Sequence, residues 1–385
     1  MITNFSRTVP VLFGPGSSLR TGLKAKKLGV KKVLCVYDRG IKEAGVADKV
    51  VNNIKAAGLQ VSIYDNVKED PPDTLVDEGG EMARVEEVDG IVGVGGGSAM
   101  DTAKAINALL NNPPPIGRYY VGTGNKQKPG KVLILLPTTA GTGSEATKIT
   151  VISDTTTQTK KGILGPAVTA SLAIVDPELL LGLPPKITAA TGMDAFSHAA
   201  EALTSEGMNP MSDVLAEKAI ALIVSNLPQS IKDGSNLTAR TNMAFSSLIA
   251  GIAFNDTMPH WGHAIAHTVG AQFHVPHGVG CAVALPAAIE FVADAVPEKV
   301  RLIAASMGLS PSEEQSPSEL GAMVAEAIRN FCREIGIPSL KDFKINEDSM
   351  GRLIKRVLAD DCAMFGPKRA SSDQVLKMLE KAHNY

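Results

Sequence analysis

Short aliphatic and β-branched runs alternate with helix-spaced apolar positions through the first half of this chain. Lys32 to Tyr37 reads as a buried strand, and the Asp38-Arg39-Gly40 turn leads into a helix over about Ile41 to Ala57. Leu59 to Tyr64 predicts the next strand, Thr74 to Glu87 a polar helix, and Ile91 to Val94 a compact strand running into Gly95-Gly96-Gly97-Ser98. Met100 to Leu110 has helical periodicity and stops at Asn111-Asn112-Pro113-Pro114-Pro115. Lys131 to Leu136 then supplies another strand, again ending in a polar, glycine-rich loop. Strands that alternate with helices in this way predict crossover units on a parallel sheet, and so an α/β fold with a Rossmann-like N-terminal domain.

Beyond Pro184-Pro185 the strand signals stop. Ala189 to Thr204, Pro210 to Asn226, Ala239 to Phe254, Gly262 to Val269, Val296 to Met307, Leu320 to Ile335 and Ser372 to Lys381 all have helix-like apolar spacing. These patterns predict an all-helical C-terminal domain, with domains at 1–182 and 183–385. Ser310 to Ser318 reads as an exposed loop. At 385 residues with 44% hydrophobic side chains, the chain is long enough for two buried cores.

Charge removes some partners. Lys and Arg total 38 against 40 Asp and Glu, a net charge of -2, which provides no global field for nucleic acid or a membrane surface. Apolar runs are interrupted well short of the roughly 20 residues that span a bilayer. Met1 to Phe13 carries a single basic residue, Arg7, and no long apolar core, so no secretory leader is read there. Cys35, Cys281, Cys332 and Cys362 are widely spaced and form no disulfide framework or zinc motif. The expectation is a soluble, cytoplasmic protein.

Gly95, Gly96 and Gly97 lie at a strand-to-helix junction, where missing Cβ atoms let main-chain amides approach an anion and the first helical turn adds unpaired N–H groups. Ser98 is placed either to cap that helix or to touch phosphate, although the glycine spacing is not the usual Gly-x-Gly-x-x-Gly. The later loop, Pro137-Thr138-Thr139-Ala140-Gly141-Thr142-Gly143-Ser144-Glu145, offers hydroxyls for phosphate, ribose or nicotinamide. Two such loops at strand ends fit a dinucleotide site at the carboxyl edge of a parallel sheet. Asp38 can accept ribose hydroxyls and would repel a 2'-phosphate, which favours NAD over NADP, though a strand-end Asp also serves as a simple turn former.

Five of the seven histidines fall between residues 260 and 277. Asp194 and His198, four apart on a predicted helix, share one face about 6 Å apart along the axis. His263 can project from a second helix, and a turn at Pro276-His277-Gly278 can bring another imidazole back. One carboxylate with three imidazoles would hold a divalent ion able to polarise a substrate oxygen. Spacing alone leaves His260, His267 and His274 as competitors. His267, four residues after His263, points to the same pocket as a candidate proton relay. His274 is a candidate for the substrate entrance.

At these positions the chain resembles the iron-containing, or group III, alcohol dehydrogenase family of the dehydroquinate synthase-like fold superfamily. The matching segments are Gly95-Gly96-Gly97-Ser98 with Asp101-Thr102-Ala103-Lys104, Pro137-Thr138-Thr139 with Gly141-Thr142-Gly143-Ser144-Glu145, Gly192 to His198, His263-Ala264-Ile265-Ala266-His267 and Pro276-His277-Gly278. The resemblance implies a nucleotide-binding domain, a helical metal-binding domain and catalysis in the cleft between them. It assigns the metal to Asp194, His198, His263 and His277, and cofactor contacts to Asp38, Gly96 to Ser98, Thr138, Thr139, Thr142 and Lys160. It also makes His267 a proton-transfer residue rather than a ligand. Fe²⁺ is implied as the ion, although the donor set also suits Zn²⁺. The implied reaction is reversible NAD-linked oxidation of a primary alcohol or small diol to the aldehyde, by a homodimer or larger assembly of dimers. A polyol or hydroxy-acid dehydrogenase, a lyase of the wider superfamily, and a metal-dependent nucleotide binder without turnover are the alternatives. Two stretches depart from the family pattern: Met258-Pro259-His260-Trp261, and Cys362 to Arg369 in place of an Asn-Pro-Arg segment.

Overall fold

The structure, a computed structural model, describes residues 3, 5–6 and 9–385. Five of the thirteen residues read for a leader, Met1 and Arg7 among them, lie outside the described residues. Among the described residues no helix is long and apolar enough to cross a membrane.

The chain divides into two compact units. The first contains the described residues within 7–139 together with Gly143–Leu181. Its strands are β1 (Val11–Phe13), β2 (Lys32–Asp38), β3 (Gln60–Val67), β4 (Gly90–Gly95), β5 (Val132–Pro137), β6 (Ile149–Asp154), β7 (Thr159–Leu164) and β8 (Leu172–Val175). Its helices are α1 (Thr21–Lys27), α2 (Arg39–Glu43), α3 (Val46–Ala56), α4 (Asp73–Val85) and α5 (Gly97–Asn111). Six strands form one sheet in the order β1-β8-β5-β4-β2-β3, with every pairing parallel.

Burial explains the strand composition. Val33 to Val36 and Gly90 to Gly95 are buried along their whole length, as expected for strands covered on both faces. Gly93 has no Cβ because one would stand 2.7 Å from the Ala103 Cβ, so the glycine lets α5 lie close to β4. The chain runs outward from β2 to β3, then returns to the other side of β2 for β4. The carboxyl ends of β2 and β4 therefore form the switch point, where open parallel sheets bind ligands.

Locally this unit differs from the expectation. The helix over Ile41 to Ala57 is two helices, α2 and α3, separated at Gly45, whose φ of 70° breaks the spiral. The antiparallel β6–β7 hairpin was not expected, since its strands are only half-buried and carry polar residues throughout.

The second unit contains Gly182–Tyr385 with Ala140–Thr142 and the described residues within 1–6. Among its described residues all regular structure is helical: α6 (Pro185–Thr204), α7 (Pro210–Lys232), α8 (Leu237–Thr257), α9 (Trp261–Phe273), α10 (His277–Val292), α11 (Pro297–Ser306), α12 (Pro317–Glu334), α13 (Met350–Ala359) and α14 (Ser372–His383). Helices α6 and α10 run through its middle, α6 packed on α7 and α8, α10 on α9, α12 and α14. The expected turn at His277 is instead the first residue of α10, a helix without an amphipathic pattern because it is buried on nearly every side.

Candidate metal centre and nucleotide loops

Helices α6, α9 and α10 bring the metal candidates together within the helical unit. Asp194 and His198 lie one turn apart on α6, His263 is in the first turn of α9, and His277 opens α10. Asp194 Oδ1 stands 3.8 Å from His198 Nδ1, 3.7 Å from His263 Nε2 and 3.5 Å from His277 Nε2. These separations are too long for hydrogen bonds. They match the spacing of about 3.4 Å between donors that each lie about 2.1 Å from one tetrahedral ion.

Satisfaction of polar atoms points the same way. Asp194 Oδ1, His198 Nδ1 and His263 Nε2 are buried with no hydrogen-bond partner among the described residues. Such atoms are rare unless an ion or water is owed to them. His263 Nδ1 meets the Glu201 carboxylate, and the His198 ring interacts with the Gly141 backbone. A Cβ on Gly141 would stand 3.2 Å from Asp194 Oδ2, so this glycine leaves room for the carboxylate. Stacking of the His198 ring on Phe254, at 4.2 Å between centroids, fixes its plane.

Burial works to raise the Asp194 pKa, but His198, His263 and His277 outweigh it and hold the carboxyl well below its usual range. Burial pushes His198 down to about 4, so it is a neutral lone-pair donor. Cys281, one turn after His277, was missed as a site residue: its thiol shares a close group with Asp194, His263 and His277, 3.7 Å from His277 Nε2. Burial pushes that thiol up to about 11. The i,i+4 spacing of His277 and Cys281 was the signal available in the sequence.

The competing histidines separate. His260 is the N-cap of α9, where its Nδ1 accepts the Trp261 N–H at 2.8 Å and its Nε2 meets Thr204 Oγ1 at 2.8 Å. Both nitrogens are spent inside the fold. His274 is exposed at the C-cap of α9 with φ 56°, and His267 stacks on His277 at 5.3 Å between centroids. His267 Nδ1 lies 3.1 Å from Asp360 Oδ2, and Cys362 Sγ is 4.0 Å from the same nitrogen. Trp261 is 2% exposed and donates to the Lys368 carbonyl at 3.2 Å, so it is mainly a core residue, with an edge on a shallow pocket beside Asp360, Met364 and Arg369.

In the sheet-containing unit, Asp38 ends β2 and the Gly95 to Ser98 segment follows β4, so both occupy the switch point. Helix α5 has Gly96 as its N-cap and no side-chain cap, which leaves its first N–H groups for an anion; Ser98 lies inside the helix and does not cap it. The Thr138 N–H donates to the Gly95 carbonyl at 3.0 Å and joins the second loop to the first. Asp38 Oδ1 accepts the Ile41 N–H at 3.0 Å, and its Oδ2 lies 3.4 Å from where a Gly95 Cβ would be. The carboxylate thus caps α2 while facing the glycine turn. Lys160, on β7, is paired with Asp70 at 2.7 Å rather than solvated.

Behind these loops Asp101, Lys104, Ser144 and Glu145, residues of two of the motif segments, join in a buried polar cluster for which no role was expected. Lys104 on α5 donates to the Ile149 carbonyl at 2.7 Å and to Thr147 Oγ1 at 3.0 Å, while Asp101 Oδ1 accepts from Ser144 Oγ at 2.8 Å. These bonds tie the helix carrying the glycine turn to the Thr-rich loop. Burial lowers Lys104 to about 8 and raises Glu145 to about 7.

Residues 9–177 match the family described as iron-containing alcohol dehydrogenase, and residues 188–383 match the C-terminal region of the Fe-containing alcohol dehydrogenase family. The chain is 38% identical over 373 residues to a 1,3-propanediol dehydrogenase of Citrobacter freundii, covering 96% of each protein. It is 34% identical over 382 residues to an NAD-dependent methanol dehydrogenase of Bacillus methanolicus, covering 99% of this chain and 100% of that one. A crystal structure of 1,3-propanediol oxidoreductase superposes with a TM-score of 0.94 at 36% identity, covering 99% of this chain and 100% of the other.

Proposed function

This chain belongs to the iron-containing alcohol dehydrogenase family, and from that premise we propose a division of labour among its residues. It catalyses metal-dependent, NAD-linked oxidation of alcohols and diols to aldehydes. The single observation that carries the site assignment is the set of bare, buried donor atoms on Asp194, His198 and His263, with His277 beside them. These four residues hold the divalent ion. When bound, that ion supplies the positive charge that acidifies an alcohol oxygen and polarises a carbonyl, and NAD supplies the hydride acceptor.

The chain's own groups do the rest. Asp194 contributes the only negative charge among the four ligands, so the centre keeps net positive charge for substrate oxygen. His267 holds the proton that leaves the substrate: its Nδ1 is anchored by Asp360, which frees Nε2 for exchange. Burial works to raise the Asp360 pKa, but its pairing with His267 holds it below the usual carboxylate range and so preserves the anchoring charge. Main-chain N–H groups at Gly96 to Ser98 hold the pyrophosphate, and Asp38 takes the ribose hydroxyls. Thr138, Thr139 and Thr142 line the same cofactor loop. Lys160 contributes through its place on β7, where its partner is Asp70.

A primary alcohol or small diol is the substrate class. Polyols and 2-hydroxy acids would need further polar or cationic contacts. A homodimer or an assembly of dimers is the expected state, supported by the family resemblance and by Val11 and Phe13, each 38% exposed on the edge strand β1. A reducing, cytoplasmic setting is supported by four free, buried cysteines.

The reading is tested by a substrate matrix. Protein reconstituted anaerobically with Fe²⁺ or Zn²⁺ is assayed for NADH formation with primary alcohols, diols, polyols and 2-hydroxy acids. Primary alcohols and small diols should turn over fastest. Preference for hydroxy acids or polyols would overturn the substrate class, and no turnover with any of them would overturn the enzyme reading.

A further inference from the structure

Glu201 is fully buried on α6, on the same face as Asp194 and His198, and plays no part in the reading above. Its Oε1 accepts the Gly262 N–H at 2.7 Å, and its Oε2 meets His263 Nδ1. That contact leaves His263 Nε2 bare and turned towards Asp194 Oδ1, 3.7 Å away. An imidazole that shares its Nδ1 proton with a carboxylate keeps a lone pair on Nε2, is held in one orientation and becomes a stronger metal donor. His260 Nδ1 also stands 3.2 Å from Glu201 Oε1, but it accepts the Trp261 N–H at 2.8 Å and so has no proton to give the carboxylate. Position 262 has no side chain to push the carboxylate away; a Cβ there would stand 3.0 Å from Glu201 Oε1.

We propose that Glu201 is a positioning residue of the metal centre, which selects the His263 tautomer that presents Nε2 to the ion and thereby sets metal affinity. This rests on the metal reading given above. Glutamine is a sharp probe of it. The Gly262 N–H requires an acceptor, so the amide oxygen of a glutamine must remain there and its NH₂ must face His263 Nδ1. Nδ1 then has to accept, the proton moves to Nε2, and the lone pair is lost from the metal side.

The test measures Zn²⁺ affinity of metal-free wild type, Glu201→Gln and Gly262→Ala by competition with a chromophoric chelator. NADH affinity and thermal unfolding of the metal-free proteins are followed in parallel. Glu201→Gln should bind Zn²⁺ about 10–100-fold more weakly with NADH affinity unchanged. Gly262→Ala, which keeps the charge but displaces it, should show a smaller loss. A folded Glu201→Gln protein with wild-type Zn²⁺ affinity overturns the proposal, even if its unfolding temperature falls; that result would make Glu201 a structural residue only. If Glu201→Gln does not fold, wild-type affinity in Gly262→Ala overturns it. A wild type that binds no Zn²⁺, or Zn²⁺ binding that survives His263→Ala, overturns the underlying metal reading instead.

Discussion

In the sheet-containing unit the candidate ligand contacts are main-chain groups, at Gly96 to Ser98 and the loop joined to them through Thr138. In the helical unit they are side chains, on Asp194, His198, His263 and His277, drawn from three helices. Backbone recognition fails when something is added, because a Cβ occupies the space an anion needs. Side-chain coordination fails when something is removed. Substitutions in the two units should therefore separate cleanly, the first altering nucleotide affinity and the second metal content.

The largest effect is expected at His263. His263→Ala should lose the metal and reduce turnover on the order of 10³-fold or more while nucleotide affinity stays near wild type. Metal analysis with NADH binding checks both halves of that statement. His198→Ala should follow it, whereas Cys281→Ser should retain metal; the reverse order would place the thiol in the coordination set and remove His198.

The next effect belongs to the backbone side. Gly95 has φ 150°, and a Cβ there would stand 2.6 Å from the Ala99 Cβ. Gly95→Ala should strain the turn by about 1–3 kcal/mol, read as a rise in KM for NAD with Zn²⁺ affinity unchanged. Loss of metal in this variant would break the separation between the two regions.

These two regions also differed in how far they could be read beforehand. The alternation of strands and helices and the glycine turn after Val94 were visible because strand ends and helix starts have local signatures. The histidine cluster was visible as composition, but the ligands were not. His260 looked equal to His263 until its capping bond to Trp261 was in view. Glu201 escaped because a buried carboxylate on a helix face looks like a solvated one in sequence, although its spacing from Asp194 and His198 put it on their face. Helix α10 escaped for a different reason: Gly278 to Ile289 is buried throughout, so no polar face marks its period.

Asp38 offers a finer test, because it is the side chain proposed to select the cofactor within the backbone-built region. Asp38→Gly should shift the NADP-to-NAD ratio of kcat/KM by about tenfold towards NADP, the effect of removing a repulsion of roughly 1–4 kcal/mol from a 2'-phosphate. Loss of the α2 cap should lower stability by about 1 kcal/mol at the same time. An unchanged cofactor ratio would leave Asp38 as a turn former alone.

The smallest effect on either ligand is expected in the cluster behind the loops, where the readout is stability alone. Burial raises Glu145 from 4.5 to about 7, so folding favours its protonated form. That contribution is complete below pH 4.5 and disappears as pH rises through 7. Lys104, lowered to about 8, behaves in the opposite sense, its contribution being present above pH 10.5 and lost as pH falls through 8. Between pH 5 and 7 the Glu145 slope therefore dominates. Glu145→Gln should flatten the fall in unfolding temperature across this window, an effect on the order of 1–3 kcal/mol. Parallel curves for the variant and the wild type would contradict the assignment.

The most direct measurement titrates metal-free protein with Fe²⁺ under anaerobic conditions while NADH formation from a primary alcohol is recorded. Activity should rise from near zero and level off at one ion per chain, with the same ion restoring nothing to His263→Ala. Full activity before any ion is added, or a plateau reached without Asp194, His198, His263 and His277, would contradict the account.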